Sequence, residues 1–314
     1  MYKTYQRFIV IYLKGVVMGA ADVVPGVSGG TIALVTHIYE RLIRAIDTIS
    51  FPLILQLFST KRKQAWKTID GSFLLALVLG IGTSILLVTG GISWLFENYP
   101  IPLWAFFFGL ILGSAFVLKN TISNWNTYTS AALCIGAIIA FGVGFFSPSS
   151  GSDNLIYLFF CGVLVVIAMI LPGISGAFIL ILLGAYDTAL KTVDQLKSFE
   201  LEGLIVFCVM ASGGIVGLKV FSKLLRWLFS THKELVLATM TGFLFGSLYK
   251  VWPWKRITEF YTNSQGEQEP LTTRAILPDV FEPSTQFIGA IIAFAVGVIL
   301  LLFLERLSKK QDHA

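Results

Sequence analysis

Two short segments carry residue types from which an anion site can be built. Pro25-Gly26-Val27-Ser28-Gly29-Gly30-Thr31 interrupts one apolar stretch, and Pro172-Gly173-Ile174-Ser175-Gly176 interrupts another. Proline lacks an amide donor and suits a helix start, while glycine permits a tight turn and close backbone approach. Ser28, Gly29, Gly30 and Thr31 then begin a new helix whose first amides have no partner within it. Those amides, the positive end of the helix dipole and two hydroxyls suit a phosphate or a carboxylate. Ser175 and Gly176 repeat the pattern. The candidate anion set is therefore Gly26, Ser28, Gly29, Gly30, Thr31, Gly173, Ser175 and Gly176, with Pro25 and Pro172 marking the turns. The plainer alternative is that these small residues only let helices pack closely.

Asp22 lies three residues before Pro25, inside an apolar stretch where a carboxylate is costly unless paired or protonated. One reading makes it the site of a coupling proton or sodium ion. The other makes it an acceptor for amides and hydroxyls of the neighbouring helix start. Arg44 and Lys191 stand one turn beyond Glu40 and Asp187, where each can attract an anionic headgroup or simply anchor its segment at the interface. His37, alone on an apolar arm, reads as structural or interfacial.

An enzyme is the weaker reading. Gly26-Val27-Ser28-Gly29-Gly30 fits a Gly-x-Ser-x-Gly nucleophile pattern, but a serine needs a base within hydrogen-bond reach. The three histidines are His37 on the same arm, His232 in a loop and His313 at the terminus. Cys134, Cys161 and Cys208 are odd in number and lie in apolar segments, which suits packing better than a disulfide or metal. No metal site and no cofactor is expected.

The elements that must position these residues are long and apolar. Of 314 residues, 55% are hydrophobic and 13% charged, against roughly a quarter charged in soluble domains. Apolar runs approach the roughly 20 residues that cross a ~30 Å hydrocarbon core, and only helices fit such runs in lipid. The net charge of +5 does not point to nucleic acid, because its distribution is that of a membrane protein. With the loops assigned alternately to two sides, 17 of the 23 Lys and Arg fall on one side. That side is cytoplasmic by the positive-inside rule, which places both termini inside. Phe51 to Phe58, followed by Lys61-Arg62-Lys63, reads as an amphipathic segment on the cytoplasmic face. The polar stretch within 250–285 reads as an external loop.

Self-comparison divides the chain in two. The Pro-Gly-x-Ser-Gly block recurs at an offset of 147, which also matches Gly15 with Gly162, Tyr39 with Tyr186, Arg44 with Lys191 and Asp47 with Asp194. Asp22 falls opposite Met169 and His37 opposite Gly184. At an offset of 133, Trp94-Leu95-Phe96 returns as Trp227-Leu228-Phe229 and Gly113-Ser114 as Gly246-Ser247. Ile135–Gly144 returns as Ile288–Gly297 with nine of ten positions identical. The expected fold is all-α and polytopic, with repeats at 1–150 and 151–314. Each repeat holds a Pro-Gly-centred helical hairpin (about 8–46 and 155–190) followed by three transmembrane helices. The second arms are expected to run from Val27 to about Tyr39 and from Ile174 to Leu190. The arms of the first hairpin reach about 25 Å and about 20 Å at 1.5 Å per residue, too short to span, so the hairpins are expected to be re-entrant rather than tilted spans. An odd number of crossings per half inverts the second half relative to the first, the plan of many secondary carriers.

The segment Met18-Gly19-Ala20-Ala21-Asp22-Val23-Val24-Pro25-Gly26-Val27-Ser28-Gly29-Gly30-Thr31, with Leu171-Pro172-Gly173-Ile174-Ser175-Gly176, resembles the PopT family over nearly the whole chain. That family is one of two groups of bacterial polyprenyl-phosphate translocases. The resemblance implies a lipid translocase of the bacterial cytoplasmic membrane. It would return undecaprenyl phosphate, the carrier of cell-wall precursors, to the inner leaflet for reuse. Its partners would be that lipid and the surrounding membrane, and assembly into a homo-oligomer stays open. The residues by themselves leave a second reading, a carrier for a small soluble anion. A groove open to lipid favours the first, and a closed water-filled vestibule the second.

Overall fold

The computed structural model of the chain describes residues 2–22, 28–144, 146, 149, 151–262, 268–278 and 286–312. The first half runs α1 (Tyr2–Asp22), α2 (Gly29–Val35), α3 (Tyr39–Thr48), α4 (Phe51–Leu57), α5 (Arg62–Thr68), α6 (Gly71–Asn98), α7 (Pro100–Thr121) and α8 (Thr127–Val143). The second runs α9 (Leu155–Ile170), α10 (Gly176–Leu182), α11 (Tyr186–Lys197), α12 (Leu201–Thr231) and α13 (Lys233–Ser247), then β1 (Lys255–Thr262), β2 (Gln268–Ala275) and α14 (Phe287–Asp312). Helices α7 and α12 and the stretch Phe287–Arg306 of α14 are each long and apolar enough to cross a membrane. The chain is a multi-pass helical membrane protein.

Element boundaries recur at the sequence offsets. Adding 147 to Gly29–Val35 gives 176–182, the bounds of α10, and adding it to Tyr39 gives the first residue of α11. Tyr99, between α6 and α7, has φ −138° and ψ 54°. His232, 133 residues later between α12 and α13, has φ −136° and ψ 44°. Each donates its amide to the carbonyl four residues back, Leu95 and Leu228, at 2.7 Å.

The main packed pairs are α1 with α6, α9 with α12, α7 with α14 and α8 with α13. Exchanging the halves maps each pair onto another in the set. Small residues make the closest approaches, as expected where lipid supplies no hydrophobic drive between helices. A methyl group on Gly15 or Gly80 would collide with the facing backbone at Leu77 or Tyr12, so α1 and α6 touch main chain to main chain. Their counterparts Gly162 and Gly213 do the same between α9 and α12. Other contacts break the symmetry, the largest of them at α12. Helix α12 packs against both α3 and α11, whereas α6 packs against α1, α5 and α7.

Two expectations are corrected here. The second arms are much shorter than the apolar runs suggest. Helices α2 and α10 have 7 residues each, and α10 meets α11 at a bend of 112°. The stop is a Schellman-type turn. His37 (φ 58°) and Gly184 (φ 60°) take the left-handed conformation. The amides of Ile38 and Ala185 reach back five residues to the carbonyls of Ala33 and Leu180, at 3.0 and 2.9 Å. Glycine adopts this conformation freely and histidine rarely, so the stop at His37 was hidden. The second correction concerns the polar stretch after α13, which contains an antiparallel ribbon rather than loop alone. β1 pairs with β2 from Lys255 opposite Ala275 to Thr262 opposite Gln268, with irregular register between Ile257 and Phe260. The β-branched and aromatic residues Ile257, Thr258, Phe260 and Tyr261 favour a strand.

Candidate functional site

The hairpins meet where α2 begins and α9 ends. The last carbonyls of a helix have no intrahelical donor. In α9 two of them are satisfied from the first hairpin: Ser28 Oγ donates to the Met169 carbonyl and Tyr39 Oη to the Ile170 carbonyl, each at 3.1 Å. A third bond returns, from the Gly173 amide to Thr31 Oγ1 at 3.2 Å. Ser28 and Thr31 are buried, and Tyr39 is also packed against Phe229 of α12, ring centroids 5.8 Å apart. Gly30 is required by this contact. A Cβ there would stand 2.6 Å from the Ile170 carbonyl oxygen.

The start of α2 is capped from within the protein. Ser28, in extended conformation at the N-cap, accepts the Gly30 amide at 3.1 Å. Asp22 Oδ1 accepts the Gly29 amide at 2.6 Å, a charge-assisted bond at the positive end of the helix. The acceptor reading of Asp22 is thus a contact of the structure. Asp22 lies over Gly29, where a Cβ would come within 2.5 Å of its Oδ2. The opposite residue Met169 lies over Gly176 in the same way, with a thioether in place of the carboxylate. The start of α10 is less occupied. Ser175 is buried and extended, yet its hydroxyl forms no cap bond. Gly173 turns the chain with φ 78° against Phe243 and Ser247 of α13.

Of the sequence-selected residues, Ser28, Gly29, Gly30, Thr31 and Gly173 come together at this junction. Asp22 caps α2, and Ser175 and Gly176 open α10. Pro25 and Gly26 lie outside the described residues, and Pro172 forms the second turn. Arg44 is exposed on α3, and Lys191 is exposed on α11 beside Asp153, Thr188 and Glu202. Neither forms an ion pair among the described residues. The acidic neighbours of Arg44 do: Asp47 bridges to Arg226 of α12 at 2.7 Å and Glu40 to Lys233 of α13 at 2.5 Å. Asp194, the match of Asp47, pairs with Lys197 on its own helix.

Sequence reasoning missed three features. Lys14 counts among the 17 basic residues of the cytoplasmic side by its place in the sequence, but it is buried in α1 and donates to the carbonyl of Thr36, the C-cap of α2, at 2.9 Å. The matching carbonyl, Leu183 at the C-cap of α10, takes its donor from Tyr157 of α9. Tyr39 was noted only as a repeat match. Its recurrence as Tyr186 was the available signal. Lys250 and Lys255 were assigned to an external loop, yet each stands over an aromatic face, Phe178 of α10 and Trp104 of α7.

Beside the junction is an apolar cavity of about 460 Å³. It is walled by Val16, Ala20 and Ala21 of α1, Ile32 of α2, Leu95 of α6, Phe106 and Leu110 of α7 and Ala293 of α14. As for a nucleophile, Ser28 Oγ is engaged with a carbonyl and an amide, and neither is a base.

The chain matches the undecaprenyl phosphate translocase-like family model over residues 18–269. It is 40% identical over 309 residues to a polyprenyl-phosphate transporter of Vibrio cholerae, a match covering 97% of this chain and 98% of the relative. A polyprenyl-phosphate transporter of Staphylococcus aureus is 31% identical over 255 residues, covering 77% of this chain and 85% of the relative. Both relatives are named as transporters, not as enzymes. No solved structure matches the chain.

Proposed function

We propose that this chain, which belongs to the undecaprenyl phosphate translocase-like family, carries a polyprenyl phosphate between the leaflets of the bacterial cytoplasmic membrane. The observation that carries this reading past the family name is the apolar cavity next to the polar junction. A hydrated anion gains nothing from such walls, whereas an isoprenoid tail attached to a phosphate does. That favours a lipid substrate over a small soluble anion.

The mechanism follows from the hairpins. We place the headgroup at the helix starts, with Ser175 and Gly176 available in this conformation, where the Gly173 amide is held by Thr31, and Ser28, Gly29, Gly30 and Thr31 available in the exchanged one. Both hairpins are re-entrant in this scheme, and the two halves are inverted copies. The recurring element boundaries and the exchangeable helix pairs support that arrangement. The exchanged state is one in which α6, rather than α12, holds α3 and α11. A proton or sodium ion at Asp22 would neutralise the carboxylate and release the Gly29 amide to a phosphate oxygen, coupling the ion to the lipid. Both termini are placed in the cytoplasm, the side favoured by the excess of basic residues. Net movement from the outer to the inner leaflet would recycle the carrier lipid.

The test is headgroup translocation in proteoliposomes loaded with undecaprenyl phosphate in one leaflet, with and without pH or sodium gradients. Protein-dependent movement that is lost or uncoupled in Asp22→Asn and Ser28→Ala supports the scheme. A lipid that stays in place under every gradient, while inorganic phosphate crosses, gives the site to a small-anion carrier instead.

A further inference from the structure

Lys250 follows Ser247, the last residue of α13, by one turn, and Lys255 opens β1. The Lys255 ammonium donates to the Lys250 carbonyl and lies 3.5 Å from the centroid of the Trp104 ring, while the Lys250 ammonium lies over the Phe178 ring. Both lysines are half-buried, and among the described residues neither has a carboxylate partner. Two neighbouring ammonium groups withdrawn from water without a counter-charge are unfavourable. Aromatic faces compensate in part. Burial, with the Lys255 charge beside it, lowers Lys250 to about 6, and burial lowers Lys255 to about 7. Among the described residues, the side chains against the pair are Trp104 of α7 and Phe178 of α10, and Arg256 is exposed. None supplies a negative charge.

The pair also adjoins the hairpin junction. Ser247 lies against Gly173, a Cβ there standing 3.0 Å from its Oγ, and the Gly173 amide is bonded to Thr31. Phe178, beneath Lys250, is two residues into α10 from Gly176. Lys255, Lys250, Ser247 and Gly173 are thus neighbours in turn, leading from the start of β1 to the hairpin junction.

We propose that Lys250 and Lys255 form a capture site for a phosphate monoester at the α13–β1 end of the molecule, from which the phosphate is handed to the second hairpin. The site rests on the polyprenyl-phosphate reading for the source of its ligand, but its chemistry is that of any phosphate monoester or free phosphate. Two ammonium groups give a dianion its counter-charge, and the bound phosphate in turn favours their protonation.

The experiment uses the full-length protein in nanodiscs and an amine-acylating reagent, with labelling of Lys250 and Lys255 resolved by mass spectrometry. The probes are geranylgeranyl phosphate, geranylgeraniol and inorganic phosphate. The expected result is fast labelling of both lysines in the free protein and protection by geranylgeranyl phosphate but not by the alcohol. In a parallel binding measurement, the Lys250→Gln/Lys255→Gln double variant should bind geranylgeranyl phosphate about tenfold or more weakly, as expected for lost charge-assisted bonds. Lys250→Arg/Lys255→Arg should retain most of the affinity. Protection by inorganic phosphate alone upholds the phosphate site and removes the lipid reading. If geranylgeranyl phosphate binds and leaves both lysines unprotected, the capture site is wrong while the transport reading stands. Absence of protection by either phosphate overturns the proposal, and the labelling arm needs no variant that must first fold.

Discussion

Replacing Gly30 by alanine tests the hairpin junction most directly. A Cβ at Gly30 would lie 2.6 Å from the Ile170 carbonyl oxygen and 3.2 Å from both the Met169 carbonyl oxygen and Ser28 Oγ. Ordinary contact begins near 3.4 Å, so α2 and the end of α9 must separate by about 0.8 Å. The bonds Ser28 to Met169, Tyr39 to Ile170 and Gly173 to Thr31 measure 3.1, 3.1 and 3.2 Å. Such a separation carries them past useful length. At about 1 kcal/mol net for each, the junction weakens by about 2–3 kcal/mol, a shift of one to two orders of magnitude in its population. Alanine's higher helix propensity offsets up to about 1 kcal/mol of that. Gly82 in α6 has nothing within 4 Å of a built Cβ, so Gly82→Ala reports the propensity gain alone. Thermal unfolding in nanodiscs and lipid translocation are the assays. Gly82→Ala should hold or raise Tm, and Gly30→Ala should lower it and slow transport. Equal Tm and equal transport for the two variants would refute the junction as described.

Tyr39→Phe keeps the ring against Phe229 and withdraws the hydroxyl from the Ile170 carbonyl, which should cost about 1–2 kcal/mol and lower Tm. An unchanged Tm would show that the bond contributes nothing. Asp47→Asn removes the charge shared by Lys219 and Arg226, which are 43% and 55% exposed. Solvent and salt limit that loss to about 1 kcal/mol, and it should shrink further in high salt. Folded Lys250 and Lys255 release protons near pH 6 and 7, below the ordinary lysine value of 10.5. The unfolded chain binds more protons across that window, so the stability of the ligand-free protein should rise with pH from about 6 upward, and the double glutamine variant should flatten the profile. Phosphate binding has the opposite slope over pH 7–8, tightening as the lysines protonate.

The helix starts and the second turn were legible because Pro-Gly-x-Ser-Gly breaks an apolar run in a way few other sequences do. The same offsets that match Gly15 with Gly162 and Tyr39 with Tyr186 also give the bounds of α10 and the start of α11. The ends of the second arms were not legible. Apolar residues continue through Ile38 and Ala185, and a histidine gives no warning of a left-handed turn. The junction left no local trace either, because Ser28 and Met169 are separated by 141 positions. Sequence placed the hydroxyls on a helix start, and their use there depends on which carbonyls α9 leaves without donors. Lys14 shows the limit of charge counting. A lysine near a terminus counts toward orientation wherever its ammonium goes, and here it goes inward to Thr36.

The two hairpins are tied by the same geometry with different chemistry. At the C-cap of the second arm, the Thr36 carbonyl takes a lysine ammonium and the Leu183 carbonyl a tyrosine hydroxyl. At the helix start, Asp22 holds the Gly29 amide, while Met169 offers only a thioether over Gly176. Bonds to charged groups are about twice as strong as neutral ones, so both differences fasten the first hairpin more firmly than the second. A transporter built from two chemically identical halves would have two end states of equal energy. Under the proposed exchange of halves, α2 would be released from Asp22 and Lys14, charged partners that α10 lacks among the described residues. On that scheme a bias between the two states would reside in Asp22 and Lys14. An ion that neutralises Asp22 would then act on one of the helix-start contacts that distinguish the hairpins, beside the cap bond that Ser28 makes and Ser175 does not.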